Sequence, residues 1–302
     1  MASPPPPAAT PDRTGLTAAL GAYLIWGAMP LYLLLVRSVP PVEFVAWRVI
    51  WTLPLCAAIL AFRHQWADLF AALADRRALP RLMLSALLVG TNWLVYIYAI
   101  VEGRVFAASL GYYINPLVNV ALGTLFLGER LTRLQWGAVA LAGVGVALLA
   151  AGALTTLWIS LTLAFSFGLY GLVRKTVSVG ALPGLTIETL LLLLPAAGIA
   201  VWFAAATPGG SSFGRTLPLD LAIVAGGAMT AIPLLLFTVA ARRMDYSLLG
   251  FIQFLAPTIV FVLGLTVFEE PLRPVQLASF ACIWGAIALF VADLWRKAHR
   301  TG

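Results

Sequence analysis

The sequence predicts an all-α integral membrane protein: ten transmembrane helices built as two inverted five-helix repeats. Three observations carry that expectation. Of 302 residues, 62% are hydrophobic and only 10% charged, with a mean hydropathy of +0.97. A soluble domain carries about 25% charged residues, so this apolar surface suits a bilayer and no globule. Ten apolar runs each approach the roughly 20 residues needed to cross hydrocarbon. The chain also matches itself at a constant offset of 141 residues: Gly27 with Gly168, Pro54 with Pro195, Pro116 with Pro257, Glu129 with Glu270 and Gln135 with Gln276. A register held over most of the chain is the mark of duplication.

Residues 1–14, with Pro4 to Pro7 and Pro11, have little to bury and read as a disordered tail. The tail lacks the basic start of a secretory signal. The spans fall at 15–36, 42–62, 80–100, 105–127, 133–150, 155–173, 182–205, 218–241, 246–268 and 273–295. Inside a bilayer each backbone polar group must be satisfied within its own segment, so these are helices. The first repeat covers 15–150 and the second 155–295, leaving 296–302 as a basic tail. Between the second and third spans, Trp66, Leu69, Phe70 and Leu73 recur at helical spacing beside Asp68, Asp75, Arg76 and Arg77. This predicts a short helix on the membrane surface, serving as an anchor or as a gate.

Lys and Arg set the orientation. The side carrying both termini holds Arg13; Arg63, Arg76, Arg77 and Arg81; Arg130 and Arg133; Arg174 and Lys175; Arg242 and Arg243; and Arg296, Lys297 and Arg300. The other side holds Arg37, Arg104, Arg215 and Arg273. Positive loops stay inside, so both termini are expected in the cytoplasm. Five helices per repeat is an odd number, so the second copy must cross in the opposite sense, giving a pseudo-two-fold axis in the membrane plane. The net charge of +7 is explained by these loops, and no nucleic-acid partner is implied.

Nothing in the sequence calls for a metal, a cofactor or catalysis. The only histidines are His64 and His299, and no metalloprotease, P-loop or dinucleotide motif occurs. Cys56 and Cys282 sit in apolar runs and read as core residues. The segment Thr207–Gly214 reads as a linker.

The intramembrane polar residues are the better candidates. Arg48 and Glu188 each lie about two turns into repeat-related spans, where a charge costs at least about 2.5–3.5 kcal/mol. Their depths differ by an amount on the order of 10 Å, so no direct pair is assumed. Glu188 is the candidate for proton coupling, with a structural hydrogen bond as the alternative. Arg48 either meets an anionic substrate or snorkels outward. Asn92 and Tyr96 share one face of the third span, four residues apart. Tyr112, Asn115 and Asn119 form a polar stripe on the fourth, with Tyr113 beside it, and Gln253 leads Pro257 by one turn. Pro116 and Pro257 each free the carbonyl four residues earlier, and matched helix breaks point to a central cavity; interhelical hydrogen bonding is the alternative reading of these amides. Trp26, Trp51, Trp93 and Tyr170 are further candidates to line the cavity, and Trp47 reads either so or as an interfacial anchor.

The stretch ASLGYYINPLVNVALGTLFLGERLTRLQW (108–136), with AYLIWGAMPLY (22–32), VPPVEFVAWRVIW (39–51), TNWLVYIYA (91–99), FSFGLYGLVRK (165–175) and SLLGFIQFLAPT (247–258), resembles the EamA repeat of the drug/metabolite transporter superfamily and, more narrowly, its RarD permease branch. The resemblance implies ten helices, an inner-membrane location and carriage of small metabolites or drugs. In that branch a Lys follows the first motif, a His precedes the Arg of the second span and a Glu precedes ASLGY. Leu34, Trp47 and Ala107 stand there in this chain, which suggests a lost polar cluster near the ends of three spans.

The expectation is therefore a secondary transporter of small solutes working by alternating access, with proton exchange at Glu188. A passive facilitator with a structural Glu188 is the alternative, and a lipid-acting membrane enzyme is the remote one. The fifth and tenth spans, poor in polar residues, read as packing elements or as a homodimer contact.

Overall fold

The helices of the computed structural model follow the apolar runs, and residues 12–151, 154–269 and 273–300 are described, the side chains of 297–300 excepted. Twelve α-helices form among the described residues: α1 Arg13–Leu33, α2 Pro41–Phe62, α3 Trp66–Ala74, α4 Ala78–Val101, α5 Val105–Phe126, α6 Arg133–Ala150, α7 Leu157–Thr176, α8 Ala181–Ala206, α9 Leu217–Arg243, α10 Tyr246–Gln253, α11 Leu255–Thr266 and α12 Pro274–Arg300. With α10 and α11 counted as one crossing and α3 as none, ten segments are long and apolar enough to span a membrane. The expected tail and the position of Glu270 lie largely or wholly outside the described residues.

Local chemistry sets the helix starts. The Asp12 carboxylate accepts from the Thr14 N–H, Pro41 opens α2 where its missing N–H costs nothing, and Thr132 and Gln135 form a capping box on α6. At the repeat-related place, Gln276 accepts from the Arg273 N–H at 3.1 Å as Gln135 accepts from the Thr132 N–H at 2.9 Å. The predicted surface helix is α3. It buries Leu69 and Ala72 and leaves Trp66, Phe70 and Leu73 exposed. The Asp75 carboxylate behind it accepts from the N–H groups of Arg77 and Ala78, and these bonds, Arg77's first, hold it below the usual carboxylate range.

One expectation needs correction. α5 runs unbroken through Pro116, as other helices run through Pro30, Pro54, Pro195 and Pro233. Only the second copy is interrupted, at Phe254 between α10 and α11, beside the carbonyl that Pro257 leaves without its donor. α5 is held on two sides, by α7 and by α10, and Gly250 brings the α10 backbone so close that a Cβ there would lie 2.7 Å from the Pro116 carbonyl oxygen. Neighbours of this kind keep a proline-containing membrane helix continuous.

The helices pair as two exchangeable halves would. α1 lies along α9 as α7 lies along α4; α5 lies against α7 as α10 and α11 lie against α1; α2–α8, α5–α10 and α6–α12 pair with their own counterparts. This is consistent with the inverted repeat. α6 and α12 pack on each other, and the Ser279 hydroxyl donates to the Gly145 carbonyl at 2.6 Å. The halves are also joined at the α5–α6 corner. There the Glu129 carboxylate accepts from the N–H groups of Tyr246 at 2.5 Å and Ser247 at 2.8 Å, capping α10 from the other repeat. Glu129→Ala is expected to lower stability by about 1–2 kcal/mol, seen as an earlier thermal melt in detergent; an unchanged melt would refute the bridge.

Candidate functional site

Two intramembrane charges organise the interior, the half-buried Arg48 in one half and the buried Glu188 in the other. Arg48 is the eighth residue of α2. Its Nε donates to the Thr230 hydroxyl on α9 at 2.8 Å, the only hydrogen bond its guanidinium makes among the described residues. The group lies 5.7 Å from the Phe44 ring and 5.9 Å from the Trp93 ring, and Tyr32, Tyr96 and Tyr112 are close enough to act on its charge. Gly226 makes the approach possible, since a Cβ there would sit 3.0 Å from both the Arg48 side chain and the Tyr32 hydroxyl. Tyr112 stays 43% exposed although its ring meets Tyr96 at 6.3 Å. The result is a half-buried guanidinium with both terminal nitrogens unspent, edged by aromatic rings. Such a fork can take a carboxylate in two-point contact while the rings hold an apolar body.

From there a block of rings fills the interior: Trp26 against Tyr23, Phe167 and Phe237 at 5.6–5.9 Å, and Tyr170 against Phe167 at 5.7 Å. The Tyr170 hydroxyl donates to Glu188 at 3.3 Å, and the Ser85 hydroxyl donates to the other carboxylate oxygen. The partner of Glu188 is Arg174, whose Nε lies 3.5 Å away with both side chains buried. Arg174 also donates to the carbonyls of Gly180 and Ala181. Its guanidinium occupies the space above Gly184, where a Cβ would fall 2.0 Å from Nη1. The same end of the bundle is tied further by Lys175, donating to the carbonyls of Ala241 and Met244, and by Arg242, donating to that of Val179. Arg48 and Glu188 form no pair with each other; the described ion pairs are Arg174–Glu188 and Arg243–Asp12.

The amides are placed elsewhere. Gln253 donates to Asn115 at 2.5 Å and accepts from Asn119 at 2.8 Å and from Tyr23 at 3.4 Å, while Asn115 donates to the Ala164 carbonyl at 2.6 Å. Asn92 donates to the Leu163 carbonyl and to Ser166. These buried groups spend their bonds joining α1, α4, α5, α7 and α10. Tyr113 packs edge-on against Phe280 at 5.6 Å, beside α12. Of the predicted lining, the structure gathers Arg48, Tyr96, Tyr112 and Trp93 in one place, and Tyr170 with Glu188 in another. Leu34, Trp47 and Ala107 do not assemble: Leu34 is exposed, Trp47 packs on Phe213, and Ala107 is buried beside α7.

Arg174, Thr230 and Tyr32 were missed as site residues. Arg174 closes a helix and resembles a loop cation; the signal available was that Glu188 needed a partner entering from the same end.

The EamA-like transporter family matches residues 13–151. Over nearly the whole chain, the protein is 43% identical to an uncharacterized transporter of Pseudomonas aeruginosa, covering 95% of this chain and 96% of that one. It is 44% identical to protein RarD of Escherichia coli, covering 96% and 97%. The chain belongs to the EamA-like transporter family, in its RarD branch. It is a multi-pass membrane transporter. The chloramphenicol-sensitive protein RarD of Pseudomonas aeruginosa is 31% identical, covering 95% and 98%. A solved crystal structure at 21% identity shares the fold with a TM-score of 0.72, over 93% of this chain and 98% of the other.

Proposed function

We propose that this transporter is a secondary-active permease of the inner membrane, with cytoplasmic termini, carrying small metabolites or drugs by alternating access. The observation that carries the reading is Arg48: a charge held in the membrane by one hydrogen bond and a rim of rings, its terminal nitrogens free. Solutes that pair an acidic or strongly polar group with an apolar body suit it. Glu188 is the coupling residue in this reading. A proton taken from one side would weaken its hold on Arg174 and loosen the junction of α4, α7 and α8. A passive facilitator is the second reading, favoured by the ion pair itself, which gives Glu188 a structural task. A homodimer, if formed, would use the exposed faces of α6 and α12, with Trp136, Val144 and Val291 outward.

The test is uptake into proteoliposomes of an acidic-metabolite and drug panel including chloramphenicol, with and without a pH gradient. Arg48→Ala is expected to cut transport at least tenfold, the loss of about one charge-assisted contact of 1.5–3 kcal/mol, with Arg48→Lys recovering part. Glu188→Gln is expected to abolish the response to the gradient. Gradient-independent uptake that survives Glu188→Gln refutes coupling and leaves the facilitator.

A further inference from the structure

The segment Thr207–Gly214, a linker by composition, is a built structure. Gly209, Gly210 and Gly214 take left-handed φ values of 84°, 69° and 90°, which glycine adopts without strain. Arg215 donates to the carbonyls of Ser211, Gly209 and Gly210 and holds the turn closed. The loop is bound to the start of α2 by one carboxylate. Glu43, fully buried, accepts from the Ser211 hydroxyl, the Ser212 N–H and the Ser212 hydroxyl, each at 2.7 Å, and from Trp47 Nε1 at 3.2 Å. These bonds place the Phe213 ring 4.7 Å from the Trp47 ring and 5.7 Å from the Trp51 ring. Phe213 lies in the same packed cluster as Tyr32 and Phe44, the residues that also wall the Arg48 guanidinium.

The repeat supplies a comparison inside the chain. Subtracting the offset of 141, Ser212 and Phe213 correspond to Ala71 and Ala72 on α3; adding it, Glu43 corresponds to Gly184. On the face bearing the termini, among the described residues, no carboxylate hydrogen bond joins α3 to the start of α8. There Ala72 and Leu182 are buried in one apolar cluster, and Ala71, Ala72, Ala181, Leu182 and Pro183 are among the residues lining a pocket of about 490 Å³. One connector is held by a buried carboxylate, and its counterpart by apolar packing alone among the contacts described.

We propose that Ser211–Phe213 is the gate on the face opposite the termini and that Glu43 is its latch, a positioning residue that holds the Phe213 ring over the way to Arg48. The inference rests on the alternating-access reading: that face opens when the ring leaves Trp47 and Trp51.

The gate can be tested without a substrate. In a Cys282→Ser background, Cys56 being fully buried, Ile223→Cys places a thiol at a position with 0% exposure in the cluster beneath Phe213. The probe is a charged trimethylammonium thiosulfonate, applied to the whole protein in lipid nanodiscs. Labelling is expected to be slow in that background and at least tenfold faster with Glu43→Ala, Ser212→Ala or Phe213→Ala added. Phe213→Ala leaves the carboxylate satisfied and serves where Glu43→Ala does not fold. A thiol from Ala138→Cys, buried between α6 and α12, should stay unreactive in every variant. Equal labelling of Ile223→Cys with and without Phe213→Ala overturns the gate; faster labelling of both thiols overturns it equally, as general loosening. Because labelling needs no transport, a failed gate with an Arg48→Ala transport defect leaves the site reading standing, and the reverse result condemns only that reading.

Discussion

Glu188→Leu is expected to destabilise the protein by about 3–5 kcal/mol, while Glu188→Leu combined with Arg174→Leu recovers most of that loss. The two effects separate because a buried ion pair and half of one are different objects. As a pair, Arg174 and Glu188 bring attraction that is largely offset by desolvation, and the offset is incomplete even in the folded state: Arg174 Nη1 finds no hydrogen-bond partner, and its Nε meets Glu188 only at 3.5 Å. Removing the carboxylate leaves a guanidinium with no exposure, held by two backbone carbonyls. Removing both charges leaves apolar side chains in an interior already lined by Leu, Phe and Tyr. Thermal melting of the two variants in one detergent decides it. A single variant as stable as its parent would mean that Arg174 swings to water when unpaired; a double variant no better than the single would mean that the polar cluster, with Ser85 and Tyr170, stabilises through its hydrogen bonds and not its charges. Either outcome bears on coupling, because a proton delivered to Glu188 does to the pair part of what the mutation does.

How far these features were legible in the sequence depends on the distance to the partner. Spans are local in sequence, so apolar run length found all ten, and helical spacing found α3. The repeat is read by comparing the chain with itself, and the helix pairing is consistent with it. Arg48 and Glu188 stood out because charge in a bilayer is costly wherever it is found. Which amides line a space and which tie helices together was not legible, because Asn115 and Gln253 look the same in either role until the carbonyl of Ala164 and the amide of Asn119 appear beside them. Arg174 was hidden for a related reason. An arginine in the last turn of a helix is ordinarily at the interface, and only Gly184, on the next helix, opens the space that draws it inward. Pro116 misled because a proline announces a missing donor and not whether neighbouring helices absorb the defect.

The second large effect is expected at Gly227→Ala: a loss of about 1–3 kcal/mol and a transport defect with it. Two terms compete. Alanine in a helix interior is favoured over glycine by about 0.5–1 kcal/mol, so substitution at an open site should be neutral or helpful. At Gly227 the added Cβ would lie 2.5 Å from the Trp51 carbonyl carbon and oxygen and 2.8 Å from the Thr52 nitrogen. Those are backbone atoms and cannot rotate away, so overpacking outweighs propensity and α2 must move off α9. That movement strains the Thr52 hydroxyl's bond to the Gly227 carbonyl at 3.2 Å and the Arg48–Thr230 bond at 2.8 Å, which is why transport should fall along with stability. Gly137→Ala and Gly143→Ala, with nothing within 4 Å of the new Cβ, are the controls and should melt at or slightly above the parent. A Gly227→Ala protein that melts with the controls would refute the close contact. The repeat gives the contact its meaning. Ala86 stands where Gly227 stands in the other half, and α4 packs less closely on α8 than α2 does on α9. The closer seam carries glycine and the wider one alanine at the equivalent position.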